Sequence, residues 1–387
     1  MKRPLVIGYV TTDDPRDRRT WSGINHYLLK ELEQQVERVE VLGPLRPQPI
    51  LFLCRVFNQV TLRLFGKRFH YRDSFVLSRA YARILSKRVK QRPVDLIIAP
   101  AGLSAIALLK TRTPIIYFND RSIAGAVEYH TVLKDLLGWS RDQSLQLERA
   151  ALKNAALTVY TSDWAADAAK KSCPEASGKV LVIPMGANLD RIPEPPASRE
   201  FPPGTLKLLM IGVDWESKGG PIAYETLRTL KQRGHSAQLV VCGCDVPARF
   251  DDPDVVREGF LSKNDPVQQA RLEEHLRTAH FLVLPTRFEA YGIAFCEAAA
   301  YGLPALGTRT GGVPTIVQDG VTGFLFDLKE GADAYVERIE QLVQAPEKWQ
   351  RMRSAARTRF EGHFTWEAFV SRLFAQAEAA GLISKFR

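Results

Sequence analysis

The sequence predicts an α/β protein built from two Rossmann-like, doubly wound domains that face each other across a cleft. Short apolar runs of strand length alternate with amphipathic stretches of helical length along the chain. A Pro-rich stretch without periodicity, residues 190–204, separates two such arrays. The 387 residues are also too many for one compact core. We therefore expect a first domain over residues 1–189 and a second over 205–364, joined by a linker at 190–204.

Composition points to an ordinary globular protein of a reducing compartment. The chain is 45% hydrophobic and 25% charged, and no apolar run reaches membrane-spanning length. The N-terminal residues lead directly into a strand, without the pattern of a signal peptide. Five cysteines without a C-x-x-C pair argue against a disulfide framework or a zinc site. A cytoplasmic location is the expectation.

The positive charge is concentrated in one segment of the first domain. The net charge is +10, and between Arg46 and Arg92 the only acidic residue is Asp73. This segment contains two basic amphipathic stretches. They are typical of a face that contacts an anionic membrane or a lipid acceptor, on the inner side of the membrane. They are also typical of outer helices of an α/β domain whose arginine stems cover apolar neighbours, which is the plainer interpretation.

The first array contains five well-defined strand predictions. In an open parallel sheet, ligands bind beyond the carboxyl ends of the strands, which places Ala101-Gly102 and residues 119–121 near the cleft. Gly23, in the loop after the first strand, would let the backbone approach a ligand closely. We predict Ser22 as the N-cap of a helix that begins near Ile24. The predicted strands are 5–10, 39–43, 95–102, 114–122 and 157–162.

The second array begins with a strand at 206–213, followed by a loop that carries Lys218. Two glycines follow this lysine and open a helix. A lysine beside glycines at a helix start is suited to hold a phosphate as a point charge. Further strands are predicted at 237–245 and 281–286, with a short one in 256–265.

The stretch 287–307 combines two chemistries in one strand–loop–helix unit. A helix is predicted from Tyr291 to Tyr301, and its N-terminus offers unpaired N–H groups that suit a phosphate. Glu289 and Glu297 would repel a phosphate, but carboxylates readily accept hydrogen bonds from hydroxyl groups. A phosphate together with several hydroxyls describes a nucleotide sugar.

The same stretch resembles the signature of the retaining glycosyltransferases of family GT4. The pattern F-E-A-Y-G-I-x-x-x-E-A-x-A-x-G-x-P carries the resemblance, and TGGVPTIVQDGVTGFLF (310–326) continues it. LERAALKNAALTVYTSDWAA and KVLVIPMGANLD, in the first array, are similar to further family segments. The resemblance implies the GT-B fold, and with it a last helix, residues 365–387, that packs back on the first domain.

The resemblance also implies roles for individual residues in the second domain. Glu297 would hold the ribose diol and Glu289 the hydroxyls of the donor sugar. Lys218 would bind the diphosphate, together with the backbone around residues 290–293. The donor-binding residues implied there are Ala290, Tyr291, Gly292 and Ile293, and those implied for the base are Gly259, Phe260 and Leu261.

The chain departs from the family pattern at Val213 and near Asp120, whereas the loop at Gly23 resembles the family's own. Val213 stands where an arginine usually contacts the diphosphate, and Arg287 is one cation that would compensate. A histidine is usual near Asp120, which would act here as a hydroxyl acceptor or a base. In the first domain, Gly23 lies in the loop that faces the diphosphate in the family.

The implied reaction is transfer of a sugar, with retention of configuration, from a UDP- or GDP-sugar to a saccharide, lipid-linked or small-molecule acceptor. No cofactor or metal is expected. The strings Asp13-Asp14 and Asp251-Asp252 resemble metal-binding aspartates, but solvated loop charges explain them better.

Other classes of protein fit less well. A Rossmann dehydrogenase would show G-x-G-x-x-G after the first strand, and residues 5–25 lack it. A nucleotide-sugar epimerase would need a sugar-deprotonating or water-activating site, which the sequence does not offer. The remaining alternative is a basic membrane- or nucleic-acid-binding protein on a degenerate GT-B scaffold without activity. It would leave the glutamate pair and Lys218 without a role.

Overall fold

The computed structural model describes residues 5–129, 135–196, 201 and 204–384. The chain divides into two compact units, Met1–Pro184 with Phe369–Arg387, and Met185–Ala368. Each contains one six-stranded parallel sheet with helices along the chain between its strands. This confirms the predicted α/β class, with one doubly wound sheet per domain.

The first unit has the strand order β2-β1-β3-β4-β5-β6, all parallel. Its four central strands are almost fully buried apolar runs, as expected where helices cover both faces of a sheet, whereas the edge strand β2 is only partly buried. The strands are β1 Val6–Tyr9, β2 Arg38–Val41, β3 Leu96–Pro100, β4 Ile115–Asn119, β5 Leu157–Tyr160 and β6 Val180–Val182. The helices are α1 Ile24–Gln35, α2 Gln48–Phe65, α3 Phe75–Gln91, α4 Leu103–Ile106, α5 Ile123–Tyr129, α6 Gly138–Asn154 and α7 Asp163–Ser172.

The second unit has the order β12-β11-β10-β7-β8-β9, also parallel. Its strands are β7 Leu206–Ile211, β8 Ala237–Cys242, β9 Val255–Gly259, β10 Phe281–Leu284, β11 Ala305–Thr308 and β12 Gly323–Phe326. Its helices are α8 Gly220–Gln232, α9 Pro266–Thr278, α10 Ile293–Ala300, α11 Val313–Ile316, α12 Ala332–Val343 and α13 Pro346–His363, followed by α14 Trp366–Ala379.

The strand orders place one reversal in each sheet. Chain direction across the sheet reverses between β1 and β3 in the first unit and between β7 and β10 in the second. In doubly wound sheets the ligand crevice opens at this point, beyond the carboxyl ends of the two strands. The loops after β7 and β10 are therefore where a ligand of the second unit is expected.

The Pro-rich stretch after β6 packs on the second unit. The Arg357 guanidinium donates to the carbonyl of Pro193 at 2.8 Å, and the ring of Phe201 stacks on Trp349 at 4.2 Å. Residues 197–200 and 202–203 of the predicted linker lie outside the described residues. The domain limits expected from the sequence, at 189 and 205, remain a prediction beside the division after Pro184.

The division between the two units falls within the last helix, α14, after Ala368. Residues from Phe369 onward group with the first unit, where the Phe369 ring lies 4.9 Å from that of Phe118. Among the helices of the described residues, none is long and apolar enough to cross a membrane.

Candidate functional site

Lys218 and Glu289 meet at the strand reversal of the second sheet. Lys218 lies in the loop after β7 and Glu289 in the loop after β10, and Lys218 Nζ is 2.5 Å from Glu289 Oε2. The two loops are also joined by the Arg287 backbone N–H, which donates to the Ser217 carbonyl at 2.7 Å. Two residues that sequence reasoning singled out separately are thus brought together at the expected crevice.

Glycines fix the path of the Lys218 loop. A Cβ at Gly212 would lie 2.5 Å from Lys218 Cγ, so the lysine stem packs directly over this glycine. Gly219 has a φ of +77°, and a Cβ there would lie 2.0 Å from the Pro285 carbonyl oxygen. Only glycine meets both demands at position 219, and it places the N-terminus of α8 beside the end of β10.

The loop before α10 is shaped in the same way. Gly292 is the N-cap of α10 with a φ of +106°, and a Cβ there would lie 2.7 Å from the Phe295 ring and 3.3 Å from Glu289 Cγ. The helix begins at Ile293, two residues later than predicted. The Gly312 N–H donates to the Glu289 carbonyl at 3.2 Å, which ties the 310–313 loop to this turn.

Tyr291 holds the loop in place from within the core. Its hydroxyl donates to the Met185 carbonyl at 2.9 Å, and burial raises the pKa of the phenol well above its ordinary value. The side chain is thus a buried neutral anchor. A ligand would meet this stretch through the backbone, as the sequence predicts for Ala290, Tyr291, Gly292 and Ile293.

Glu297 lies on α10 with a side chain only 4% exposed, and it pairs with Lys263. Lys263 Nζ also donates to the Asn188 carbonyl at 3.1 Å. Sequence reasoning missed Lys263. The 256–265 segment contains two cations, Arg257 and Lys263, and no local pattern marks Lys263 as the partner of a distant carboxylate.

The three residues proposed for the base lie at the end of β9. Gly259 has a φ of +64°, and the Phe260 side chain is 68% exposed, so it does not belong to the core. Leu261 is half-buried. These residues lie in the same segment as Lys263.

Val213, where the family has an arginine, and Arg287, the cation that would compensate, have different surroundings in the structure. Val213 is 73% exposed, directly after β7. The Arg287 guanidinium donates to the Leu328 carbonyl at 2.5 Å, so part of its donor capacity is already used. Lys218 and Lys263 are the two lysines that lie against the signature glutamates.

In the first unit, the loop after β1 ends in three successive residues with positive φ. These are Trp21 (+46°), Ser22 (+54°) and Gly23 (+85°), and Gly23 rather than Ser22 is the N-cap of α1. The expectation of a Ser22 cap was wrong, because a left-handed backbone at Ser22 differs from the extended conformation of a side-chain cap. Gly23 places the first N–H groups of α1 beside this loop.

Asp120, after β4, accepts a hydrogen bond from Trp21 Nε1 at 3.1 Å. The Trp21 ring also lies 5.6 Å from that of Phe118. Burial raises the pKa of the Asp120 carboxyl, and Arg121 opposes this shift. Gly23 and Asp120 are therefore linked through Trp21 within one unit. His130 lies outside the described residues.

A fully buried carboxyl supports the loop that follows Asp120. Glu148 Oε1 accepts the Ile123 N–H at 2.5 Å and Oε2 accepts the Ala124 N–H at 3.0 Å, at the start of α5. Burial raises the Glu148 pKa to about 7, against the lowering effect of these N–H groups.

The aspartate strings take part in ion pairs. Asp251 pairs with Arg257 at 2.7 Å and Asp252 with Lys231 at 2.9 Å. Within the described ranges, no group of three or more His, Cys, Asp or Glu side chains is arranged to hold a metal ion. Independence from metal stays a prediction.

Comparison with known proteins assigns both halves of the chain. Residues 24–191 match the family model described as Glycosyltransferase Family 4, and residues 192–359 match Glycosyl transferases group 1. A sucrose synthase from Thermosynechococcus vestitus is 39% identical over 102 residues, which are 26% of this chain and 13% of the synthase. A D-inositol 3-phosphate glycosyltransferase from Streptomyces griseus is 37% identical over 124 residues, 32% of this chain and 25% of that enzyme. The matched stretches thus span a quarter or less of these relatives.

A solved structure supports the fold over nearly the whole chain. Anabaena HepE in complex with UDP-glucose superposes with a TM-score of 0.60 at 14% identity, covering 97% of this chain and all of HepE. The parallel six-stranded sheet in each unit matches GT-B structures, as the sequence predicts.

Proposed function

Because the chain belongs to glycosyltransferase family 4, matching its two family models from residue 24 to residue 359, we propose that it transfers a sugar from a nucleotide sugar to an acceptor hydroxyl. The observation that carries this proposal is the pairing of Lys218 with Glu289 at the strand reversal between β7 and β10. A cation and a hydroxyl acceptor lie side by side there, next to the N-terminus of α10.

The pair is suited to the junction between a diphosphate and a sugar. An ammonium group has three N–H donors and no acceptor, so Lys218 can donate to a phosphate oxygen while it remains on Glu289. The Glu289 carboxylate has acceptor positions left for sugar hydroxyls, and its charge would repel a phosphate. The two side chains would therefore orient the nucleotide sugar, with its diphosphate against Lys218 and its sugar hydroxyls against Glu289.

The second pair suits the nucleoside side of the donor. Glu297 is nearly buried and would accept from both hydroxyls of a ribose, as carboxylates do with diols. Lys263 offsets its charge before the donor arrives. The backbone at Gly259, Phe260 and Leu261 would face the base, and a UDP-sugar is the donor we favour, since HepE is similar in fold and was solved with UDP-glucose.

The bond changes that we propose are those that the family resemblance implies, with retention of configuration. The acceptor oxygen forms a bond to the anomeric carbon while the bond from that carbon to the diphosphate oxygen breaks. The leaving diphosphate takes the electron pair, and a phosphate oxygen takes the acceptor proton on the same face, which retains the configuration. Lys218, the N–H groups of residues 291–293 and the α10 N-terminus stabilise the developing charge. In the first unit, Asp120 would accept a hydrogen bond from an acceptor hydroxyl.

The charge of the first unit supports a preference among the three acceptor classes. A saccharide, a lipid-linked saccharide or a small molecule would each present a hydroxyl. We favour a lipid-linked acceptor, because segment 46–92 carries the positive charge that an anionic membrane surface attracts. The protein would then act as a peripheral protein on the cytoplasmic face of the membrane.

A panel of nucleoside diphosphates and nucleotide sugars tests the donor site by thermal unfolding. We expect one base series to raise the Tm of the wild type, because a ligand that binds only the folded state stabilises it. Glu297→Ala should reduce the shift, whereas Glu347→Ala, an exposed glutamate of α13, should not. Release of the nucleoside diphosphate from the selected sugar measures turnover without a known acceptor.

The test also separates the proposal from its alternative. Val213, exposed where the family has an arginine, is the observation that favours a binding protein without activity. If no nucleotide or nucleotide sugar shifts the Tm of the folded protein, the transferase proposal is wrong and a lost donor site explains Val213.

A further inference from the structure

Helix α2 carries apolar side chains on the side that faces solvent. On its inner side, Cys54 and Thr61 are buried and Ile50 packs against the core. The outer side is nevertheless apolar, with Phe52 66% and Leu64 70% exposed. The exposed apolar residues of this outer side are Phe52, Leu53, Val56, Val60 and Leu64. A helix of a globular protein normally turns its polar side to solvent, so this outer side departs from the usual pattern.

These five residues form one continuous strip. At 100° per residue they fall within about a third of the helix circumference. The strip is extended by Phe57, whose ring lies 5.3 Å from Phe69 and 6.3 Å from Trp139. Trp139 is itself half-exposed. Scattered exposed apolar residues need no explanation, but a contiguous strip with a tryptophan beside it indicates a surface that is covered in use.

Cations surround the strip. Arg63 lies within the same arc of α2 and Arg55 at its margin. Segment 46–92, which contains α2 and α3, holds twelve Arg and Lys residues and one acid, Asp73. This segment alone accounts for the net charge of +10. A partner that covers the strip must therefore have an apolar interior and an anionic surface.

We propose that α2 lies in the plane of an anionic lipid bilayer, with its outer side chains inserted among the headgroups and first acyl carbons. An amphipathic segment with bulky apolar residues and arginines binds such a surface by insertion and charge together. Arginine stems can lie along the apolar strip while their guanidinium groups reach the phosphates. The proposal refines the membrane contact proposed for segment 46–92, and a failure of sugar transfer would leave it standing.

A second copy of the chain is a poorer occupant. A two-fold interface through α2 would bring the same patch of each copy together, and with it two strongly basic segments. Like charges placed opposite each other disfavour that contact. A bilayer with anionic headgroups supplies the opposite charge and an apolar interior.

Flotation with lipid vesicles tests the proposal on the full chain. We expect binding to vesicles of phosphatidylcholine mixed with phosphatidylglycerol, and much weaker binding to phosphatidylcholine alone. Phe52→Gln with Leu64→Gln should lower the partition coefficient about tenfold or more, through lost apolar insertion. Arg55→Gln or Arg63→Gln should each lower it about fivefold.

Matched controls come from the second unit. Val267 is 78% exposed at the start of α9, and Arg351 is exposed on α13. Val267→Gln and Arg351→Gln should leave vesicle binding unchanged. Equal losses in the controls, or no binding of the wild type to anionic vesicles, would overturn the proposal. Light scattering without lipid reports dimerisation, and a dimer that Phe52→Gln dissolves would assign the strip to a second copy instead.

A fluorescent label distinguishes insertion from surface adsorption. All five cysteines are buried, so Val60→Cys introduces a readily accessible thiol on the strip. The emission maximum of an environment-sensitive dye attached there should shift to the blue when anionic vesicles are added. The emission of the same dye attached at Val267→Cys should not shift. A bound protein whose dye at position 60 stays in water would show charge adsorption only and overturn insertion.

Discussion

Lys263, which follows β9, pairs with the carboxylate of Glu297 on α10, although the two residues lie 34 positions apart. The Glu297 side chain is 4% exposed, so its charge is largely removed from water. Burying a carboxylate costs free energy unless a cation or several hydrogen-bond donors face it. The pair therefore prepares Glu297, in the absence of a ligand, for the hydroxyls that we propose it accepts.

Lys263→Met should destabilise the second unit by about 1–3 kcal/mol, because it leaves a buried carboxylate without this cation. Glu297→Gln in the Lys263→Met background should recover part of that loss, since the uncompensated charge is removed. Urea unfolding of the two single variants and the double variant measures the coupling. Strictly additive losses would contradict an energetic role for the pair.

The position of Lys218 should depend on the absence of a side chain at residue 212. In Gly212→Ala the new Cβ lies 2.5 Å from Lys218 Cγ, so the lysine stem must move away from Glu289. We expect kcat/KM for the donor to fall about tenfold to a hundredfold, since small misplacements at a reacting centre are costly. Gly331→Ala, where a Cβ meets no atom within 4 Å, is the matched control.

Gly212→Ala also shows whether the loss of kcat/KM is caused by the displacement of Lys218. In a Lys218→Ala background, Gly212→Ala should cause little further loss, because the group that it displaces is gone. A full additional loss would mean that residue 212 acts on the site by another route.

The sequence predicted the elements of this site better than their partners. Strand–loop–helix order and the glutamates can be inferred from local patterns, since apolar runs, glycines and carboxylates occur close together along the chain. The pairing of Lys263 with Glu297 depends on how distant loops come together, which no local pattern encodes. Lys218 and Glu289 were both identified, but their contact follows from β7 lying beside β10.

Backbone conformation and side-chain exposure account for further differences between the sequence-based predictions and the structure. The left-handed Trp21 and Ser22 have no glycine to signal them, so the N-cap was misassigned by one residue. The amphipathic pattern of α2 left two interpretations open, and only the fold identifies its solvent-facing side.

Glu148 should make stability depend on pH. Its pKa is about 7 in the folded state and 4.5 ordinarily, so the folded state holds the proton more tightly. The contribution of protonated Glu148 to the free energy of unfolding is fully present below about pH 4.5. It falls as the pH rises, because Glu148 ionises first in the unfolded chain, and it is lost above about pH 7. The total is on the order of 3 kcal/mol.

Glu148→Gln removes this titration, so its free energy of unfolding should vary less than that of the wild type between these limits. Its absolute stability should be lower throughout, because glutamine has an NH2 donor in place of one of the two oxygens that accept from the Ile123 and Ala124 N–H groups. Urea unfolding at several pH values gives the slopes. Glu347→Gln is the exposed control, and a slope for Glu148→Gln equal to the wild type would contradict the assignment.

Asp120 should contribute to turnover through its charge and to loop geometry through Trp21. Asp120→Asn keeps an oxygen that can accept the Trp21 N–H, now at 3.1 Å, but removes the carboxylate. Trp21→Phe removes the donor and keeps the carboxylate. We expect Asp120→Asn to lower kcat about tenfold or more with little change in Tm, because a hydrogen bond from an acceptor hydroxyl to a charged group is worth roughly 1.5–3 kcal/mol.

Trp21→Phe should instead lower Tm and raise KM, since the three left-handed residues before α1 lose one of the hydrogen bonds that hold them. The pH profile separates the two roles. In the wild type, kcat should fall towards low pH with an apparent pKa above that of an ordinary aspartate, because burial raises the pKa of Asp120. This fall should be absent in Asp120→Asn. If Asp120→Asn keeps both the wild-type kcat and its fall towards low pH, Asp120 serves only to position Trp21, and the acceptor hydroxyl is bound elsewhere.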